Sequence, residues 1–147
     1  MKKFILAISV MLALLMQACT FTSTTEKQPV FNIAADSVNT ALNHLATCEN
    51  FNVNGFEVTT NGQKQTIMEI DVINGKNIPV DDAAMNALAK KIALQVKEFL
   101  ADRNAYSSYR VSFIQQKESN GFTKSESHNM VFTNEELTET PQAVKAI

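Results

Sequence analysis

Every glycine in this chain directly follows an asparagine. There are four such pairs, Asn54-Gly55, Asn61-Gly62, Asn74-Gly75 and Asn120-Gly121. Both residue types tolerate a positive φ, which the tight turns of β-hairpins require. The second and fourth pairs each separate two segments in which apolar and polar residues alternate. These two pairs therefore predict two β-hairpins, and the same spacing does not suit a phosphate-binding loop, whose glycines are clustered.

An amphipathic helical pattern precedes each predicted hairpin. The apolar residues recur at intervals of three and four, as Val38, Leu42, Leu45 and Cys48 in the first pattern and as Met85, Leu88, Ile92, Val96 and Phe99 in the second. Asp81 or Asp82 stands where it can cap the N-terminus of the second helix. On this pattern Phe99 is expected to be buried against the sheet and Lys97 to be exposed.

The order of elements predicts an α+β fold. Helices are expected near residues 34–49 and 82–102, and strands near 51–60, 64–73, 107–117 and 123–132. In the second strand, Met68, Ile70 and Val72 share one face and Glu69 and Asp71 the other. We therefore expect two αββ units that form a four-stranded antiparallel sheet with both helices packed on one face. Asn54-Gly55 interrupts the first strand and predicts either a bulge or a turn.

The first residues have the composition of an export signal. Lys2 and Lys3 precede a run of thirteen apolar or small residues, 4–16, which is too short to cross a bilayer. Ala18-Cys19 after this run resembles the lipobox of bacterial lipoproteins. The resemblance implies that residues 1–18 are a signal peptide and that Cys19 is diacylated on sulfur and becomes the N-terminus. The alternative is an ordinary signal peptide cut near Ala18, which leaves Cys19 as a thiol.

Composition divides the remaining chain into three parts. Residues 19–32 are polar and are expected to form a lipidated tether, 33–133 a single α+β domain, and 134–147 a polar C-terminal tail. Removal of residues 1–18 leaves 129 of the 147 residues, which suits one domain.

The charge balance of the mature chain is acidic. Lys2 and Lys3 leave with the signal, so 11 basic residues remain against 15 acidic ones, a formal charge of −4. This balance argues against nucleic acid or an anionic lipid surface as an electrostatic partner. With Cys19 lipidated, Cys48 is the remaining cysteine and no internal disulfide is expected; without lipidation the two could form one.

Histidine and cysteine give no recognisable site. His44 and His128 are isolated in sequence and lack the spacing of zinc ligands. Cys48 extends the apolar stripe of the first helix and is expected to pack as a small hydrophobic residue rather than to react.

The acidic pairs also have structural explanations. Glu69 and Asp71 suit the solvated face of a strand, Asp81-Asp82 suit a helix N-terminus, and Glu135-Glu136 belong to the polar tail. We therefore expect no catalytic, cofactor-binding or metal-binding residue, and lipidation of Cys19 is the predicted modification.

These observations favour a non-catalytic protein of the bacterial cell envelope, lipid-anchored in the outer membrane. One hypothesis is a binding or structural module that holds an envelope protein, lipid or cell-wall component. The αββαββ order is similar to that of BON domains, some of which occur on envelope lipoproteins and contact phospholipid, and the likeness is one of fold alone. The alternative is an inhibitor or immunity-type lipoprotein that blocks an enzyme or toxin.

Overall fold

The computed structural model describes residues 21–119 and 122–138. In chain order it contains β1 (Thr22–Glu26), α1 (Ala35–Leu45), β2 (Asn50–Thr60), β3 (Gln63–Ile73), α2 (Asp82–Phe99), β4 (Ser108–Ser119) and β5 (Phe122–Thr133). The two predicted helices and four predicted strands are all present. Helix α1 ends four residues before its predicted end at residue 49. Among the described residues, no helix is both long and apolar enough to span a bilayer.

The predicted four-stranded antiparallel sheet is wrong. The sheet has five strands in the order β1-β2-β3-β4-β5, and it is mixed because β3 and β4 run parallel. The connection between these two strands contains α2, whose 18 residues carry the chain back along the sheet. A long helical crossover of this kind brings the next strand in parallel, whereas short turns make antiparallel pairs. The β2–β3 and β4–β5 hairpins are antiparallel, as predicted.

The fifth strand comes from the segment expected to be a tether. β1 pairs antiparallel with β2, with Thr22 opposite Thr60 and Glu26 opposite Phe56. All five of its side chains are exposed. Its threonines favour extended structure through their branched side chains, but the segment has no alternation of apolar and polar residues to mark it as a strand.

The Asn54-Gly55 pair forms neither a bulge nor a turn. β2 and β3 pair one-to-one along their whole length, with Gly55 opposite Met68. A side chain at Gly55 would overlap the Lys27 carbonyl oxygen and Tyr106 Oη. Tyr106 crosses the strand there, and its hydroxyl donates to the Lys27 carbonyl at 2.8 Å. This glycine therefore permits a close approach of two chain segments.

The predicted turn at Asn61-Gly62 is confirmed. Asn61 has φ 51° and Gly62 φ 81°, the left-handed conformations that a two-residue hairpin loop requires. In the second hairpin, Ser119 is opposite Phe122, and Asn120-Gly121 lie outside the described residues.

Both helices pack on the same face of the sheet, against one hydrophobic core. The buried face of α2 is centred on small and branched residues, Ala89, Ile92, Ala93 and Val96. At the C-terminal end of the helix Val96 and Leu100 take the buried positions, so Phe99 lies at the margin of the core and is half-buried rather than buried.

Lys97 is buried, contrary to its predicted exposure. Its side chain is 6% exposed, and Nζ donates to the Asn134 carbonyl at 2.9 Å and to Thr138 Oγ1 at 2.8 Å. Burial lowers the pKa of this ammonium group. Residues 134–138, at the start of the segment expected to be a tail, thus fold back over α2, and Leu137 is 4% exposed.

The two hairpins are staggered along the strand direction. β3 and β4 pair over seven positions, from Ile67 opposite Ser108 to Ile73 opposite Ile114. Residues 63–66 of β3 therefore extend past β4 at one end, together with the Asn61-Gly62 turn, which we call the turn end. At the other end residues 115–119 and 122–126 extend past β3 as a two-stranded ladder, which we call the β4–β5 arm.

Candidate interaction surface

One face of the sheet is not covered by either helix. Side chains alternate along each strand, so the positions between the core residues share this second face. We call it the open face, and its central residues are Asn52, Asn54, Phe56 and Val58 of β2, Ile67, Glu69, Asp71 and Ile73 of β3, Arg110, Ser112 and Ile114 of β4, and Asn129 and Val131 of β5.

The open face carries apolar side chains that do not belong to the core. Phe56 lies opposite Ile67 on neighbouring strands, and Ile73 lies opposite Ile114. All four are half-buried, and none contributes to the hydrophobic core cluster. Val131 on the edge strand is 60% exposed. These residues present apolar surface to solvent on the side of the sheet that the sequence pattern predicted to be polar.

An ion pair occupies the centre of this face. Glu69 and Arg110 are opposite one another on the parallel strands, and Glu69 Oε1 lies 2.5 Å from Arg110 Nη1. The two side chains are 30% and 43% exposed. An exposed pair contributes only about 0.2–1 kcal/mol to stability. The guanidinium is therefore a group that is held in place on an accessible surface rather than a major stabilising element.

Asp71 lies beside this pair, opposite Ser112 on β4. Burial raises the pKa of the Asp71 carboxyl, while a hydrogen bond from Ser112 and the charge of Arg110 act in the opposite direction. Ser112 itself is 6% exposed. The centre of the open face is therefore partly shielded from water, although neither helix of the described residues covers it.

A shallow polar hollow lies where the open face meets the turn end. It has a volume of about 430 Å³ and is lined by Val58, Thr60, Asn61, Gln63 and Gln65. Its polar groups are uncharged amides and a hydroxyl, which donate and accept hydrogen bonds without selecting for charge.

The two histidines do not form a common site with other ligating residues. His44 lies on the exposed side of α1 beside a hollow of about 320 Å³ that Asp36, Ser37, Thr40 and Ala41 also line. His128 is exposed on β5, opposite Phe113. Within residues 21–119 and 122–138, no group of three or more His, Cys, Asp or Glu side chains is arranged to hold a metal ion.

Cys48 lies in the loop after α1 rather than on the helix, because α1 ends at Leu45. It is half-buried at the margin of the core, and its thiol donates to the Asn50 carbonyl at 3.3 Å. Burial raises the pKa of this thiol, which lowers the fraction of reactive thiolate at neutral pH.

The acidic pairs outside the open face have local roles. Of the two predicted candidates for the cap of α2, Asp81 takes the role by accepting from the Ala84 amide at 2.8 Å. Glu136 accepts from the Thr133 amide at 2.7 Å, which fixes the turn after β5. Cys19, the predicted lipidation site, lies outside the described residues.

The main residue that sequence reasoning missed is Arg110. Its alternation with Tyr109 and Val111 places it on the outer face of a strand, but its partnership with Glu69 depends on the parallel register. The apolar residues of the open face had a weak signal in the sequence. Ile67, Ile73 and Ile114 each stand directly beside a core residue of the same strand, which interrupts the alternation of apolar and polar positions.

Comparison of the chain with known protein families, with curated proteins and with solved structures gives no match. The similarity to BON domains therefore remains a likeness in the order of elements alone. The functional interpretation depends on the surface of this chain and on its N-terminal sequence.

Proposed function

We propose that this chain is a non-catalytic binding module, anchored to a bacterial envelope membrane through lipidated Cys19, that binds a protein partner through its open face. The observation that carries the binding proposal is the open face itself, where apolar side chains lie on either side of the Glu69–Arg110 pair and neither α1 nor α2 covers them. The lipobox-like sequence before Cys19 motivates the anchor.

The chemistry of the open face suits a protein partner best. Protein interfaces combine apolar and hydrogen-bonding surface, and arginine is enriched at their energetically important positions. Phe56, Ile67 and Ile114 supply apolar surface. Arg110 can bind an acidic group of the partner, either together with Glu69 or in its place. Asn52, Asn54 and Asn129 provide neutral hydrogen-bonding groups around them.

Photo-crosslinking in intact cells tests the binding surface. A photoreactive amino acid replaces Val131 on the open face in the full chain, and the matched control carries it at Ala87, which is exposed on α2. We expect a discrete protein adduct from position 131 that is weakened by Arg110→Ala, and no such adduct from position 87. Adducts from position 87 alone would reject the open face as the binding site.

Membrane fractionation tests the anchor independently. The Cys19→Ser variant is expected to leave the membrane fraction or to accumulate as a precursor, because the serine cannot take the thioether-linked lipid. Persistence of the mature variant in carbonate-washed membranes would show that another feature anchors the protein. A crosslinked partner that proves to be a hydrolase or toxin, inactivated by one equivalent of this chain, would favour the inhibitor hypothesis.

A further inference from the structure

The N-terminal end of the described chain is fastened to the turn end of the sheet. The Asn61 amide donates to the Phe21 carbonyl at 3.0 Å, and the Phe21 amide donates to Asn61 Oδ1 at 3.3 Å. The ladder between β1 and β2 continues directly from this point, with Thr22 opposite Thr60. Phe21 therefore has a defined place beside the hairpin turn rather than at the end of a long free segment.

Covalent geometry limits how far Cys19 can be from this turn. Two peptide units join Cys19 to Phe21, and consecutive Cα atoms are 3.8 Å apart, so their Cα atoms are separated by roughly 8 Å at most. A tether of residues 19–32 would have allowed a reach of roughly 30 Å at full extension over its first ten residues. Because β1 begins at Thr22, the domain begins almost immediately after the predicted lipid attachment site.

The surface of the turn end suits a layer of lipid headgroups. Phe21 is 75% exposed, and a phenylalanine ring can bury its apolar area at the boundary between headgroups and acyl chains. The exposed residues of the turn are Asn61, Gly62, Gln63 and Lys64, and the Lys64 ammonium is paired with Glu57 at 2.8 Å, so the turn carries no net charge that would repel headgroups. The β4–β5 arm at the opposite end carries Lys117, Glu118, Lys124 and Glu126 and is also balanced in charge, so the exposed Phe21 and its closeness to Cys19 are what distinguish the turn end.

We propose that the turn end lies directly on the lipid headgroups, with Phe21 at the interface and the strands standing up from the membrane. This inference rests on the proposed lipidation of Cys19. The β4–β5 arm then points away from the membrane. About sixteen residue levels separate its tip from the turn, which corresponds to roughly 50 Å at ~3.3 Å per residue. The open face stands at an angle to the bilayer and stays accessible to partners from the side.

Fluorescence quenching by labelled lipid tests this orientation. The full chain, lipidated in its bacterial host, is reconstituted in vesicles of phosphatidylethanolamine and phosphatidylglycerol with a small fraction of headgroup-spin-labelled lipid. In a Cys48→Ala background, a fluorophore is attached at Gln63→Cys in the turn end or at Lys117→Cys in the arm. Both positions are exposed and polar, which makes the second a matched control.

We expect the label at position 63 to lose most of its intensity and the label at position 117 to be unaffected. Equal quenching at the two positions, or none at position 63, in protein that floats with the vesicles would overturn the orientation and leave the anchor intact. Failure of the Cys19-containing protein to float would instead reject the proposed anchor and this inference with it. Hydroxyl-radical footprinting of unlabelled protein gives a second readout, with residues 58–66 protected and 115–118 not.

Discussion

At the scale of single residues, Lys97 shows how a charged side chain can be buried for a structural reason. A helical pattern assigns it to the polar side of α2, yet its ammonium group holds the chain that follows β5 against the helix. The residues that it contacts lie 37 and 41 positions away in sequence, so the intervals along the helix contain no information about them.

Replacing Lys97 should therefore cost more than a surface substitution. Lys97→Met keeps the apolar stem but removes two hydrogen bonds from a charged donor, and we expect a loss of about 1.5–3 kcal/mol in the free energy of unfolding. Lys91→Ala, on the exposed side of the same helix, should stay within about 0.5 kcal/mol. Denaturant unfolding measures both, and equal effects would contradict the contacts assigned to Lys97.

Asp71 provides a pH-dependent prediction for the open face. Its pKa is higher in the folded chain than the ordinary value of 3.8, so the folded state binds the proton more tightly. The charged carboxylate thus reduces stability at neutral pH, and this penalty disappears as the pH falls through the folded pKa. Asp71→Asn should raise the Tm at pH 7, with a difference that vanishes below about pH 3.8.

Glu57→Gln is a control for which we expect the opposite change in Tm. The Lys64 ammonium beside Glu57 lowers the pKa of its carboxyl, so the charged form stabilises the folded state above the ordinary value of 4.5, and this contribution is lost at lower pH. Its replacement should lower the Tm slightly at pH 7 and have no effect in acid. Thermal melts across the pH range measure both variants, and a lower Tm for Asp71→Asn at neutral pH would refute the assignment.

At the scale of elements, the sequence predicted which segments are helices and strands but not which strands are neighbours. Alternation of Met68, Ile70 and Val72 with Glu69 and Asp71 reports that one face of a strand is buried. It does not report the direction of the adjoining strand, which the crossover through α2 decides. The Glu69–Arg110 pair depends on this parallel register, so its existence could not be derived from the spacing of charges along the chain.

β1 and Gly55 were missed for a related reason. The threonines of β1 lie at an exposed edge, where no apolar alternation is needed, and β1 pairs with residues of β2 that are thirty or more positions away. Gly55 occurs after an asparagine, as turn glycines do, but its role is to admit Tyr106 and Lys27 from distant segments. Local chemistry predicted the turn at Asn61-Gly62 correctly because that turn requires only its own backbone angles.

At the scale of the whole molecule, the stagger of the two hairpins makes stability uneven along the strand direction. In the middle, β3 and β4 pair with each other and with their hairpin partners, and Met68, Ile70, Tyr109 and Val111 are fully buried. At the turn end β1, β2 and β3 form a three-stranded ladder. The arm has only two strands, and its side chains at 117–118 and 123–126 are all exposed.

Amide hydrogen exchange should follow this order, with slow exchange in the middle, faster exchange at residues 63–66, and the fastest in the arm. A two-stranded hairpin without a core is marginally stable in water, so the arm can open without exposing Met68 or Tyr109. An opening that costs about 4 kcal/mol less than that of the core corresponds to roughly thousandfold faster exchange.

Mass spectrometry of peptides from residues 66–73 and 115–126 measures the difference in the full chain. Protection of the arm equal to that of the middle strands would mean that another segment or a second copy covers it. If the arm is as labile as expected, the end of the molecule that we place farthest from the membrane is also its most adaptable part.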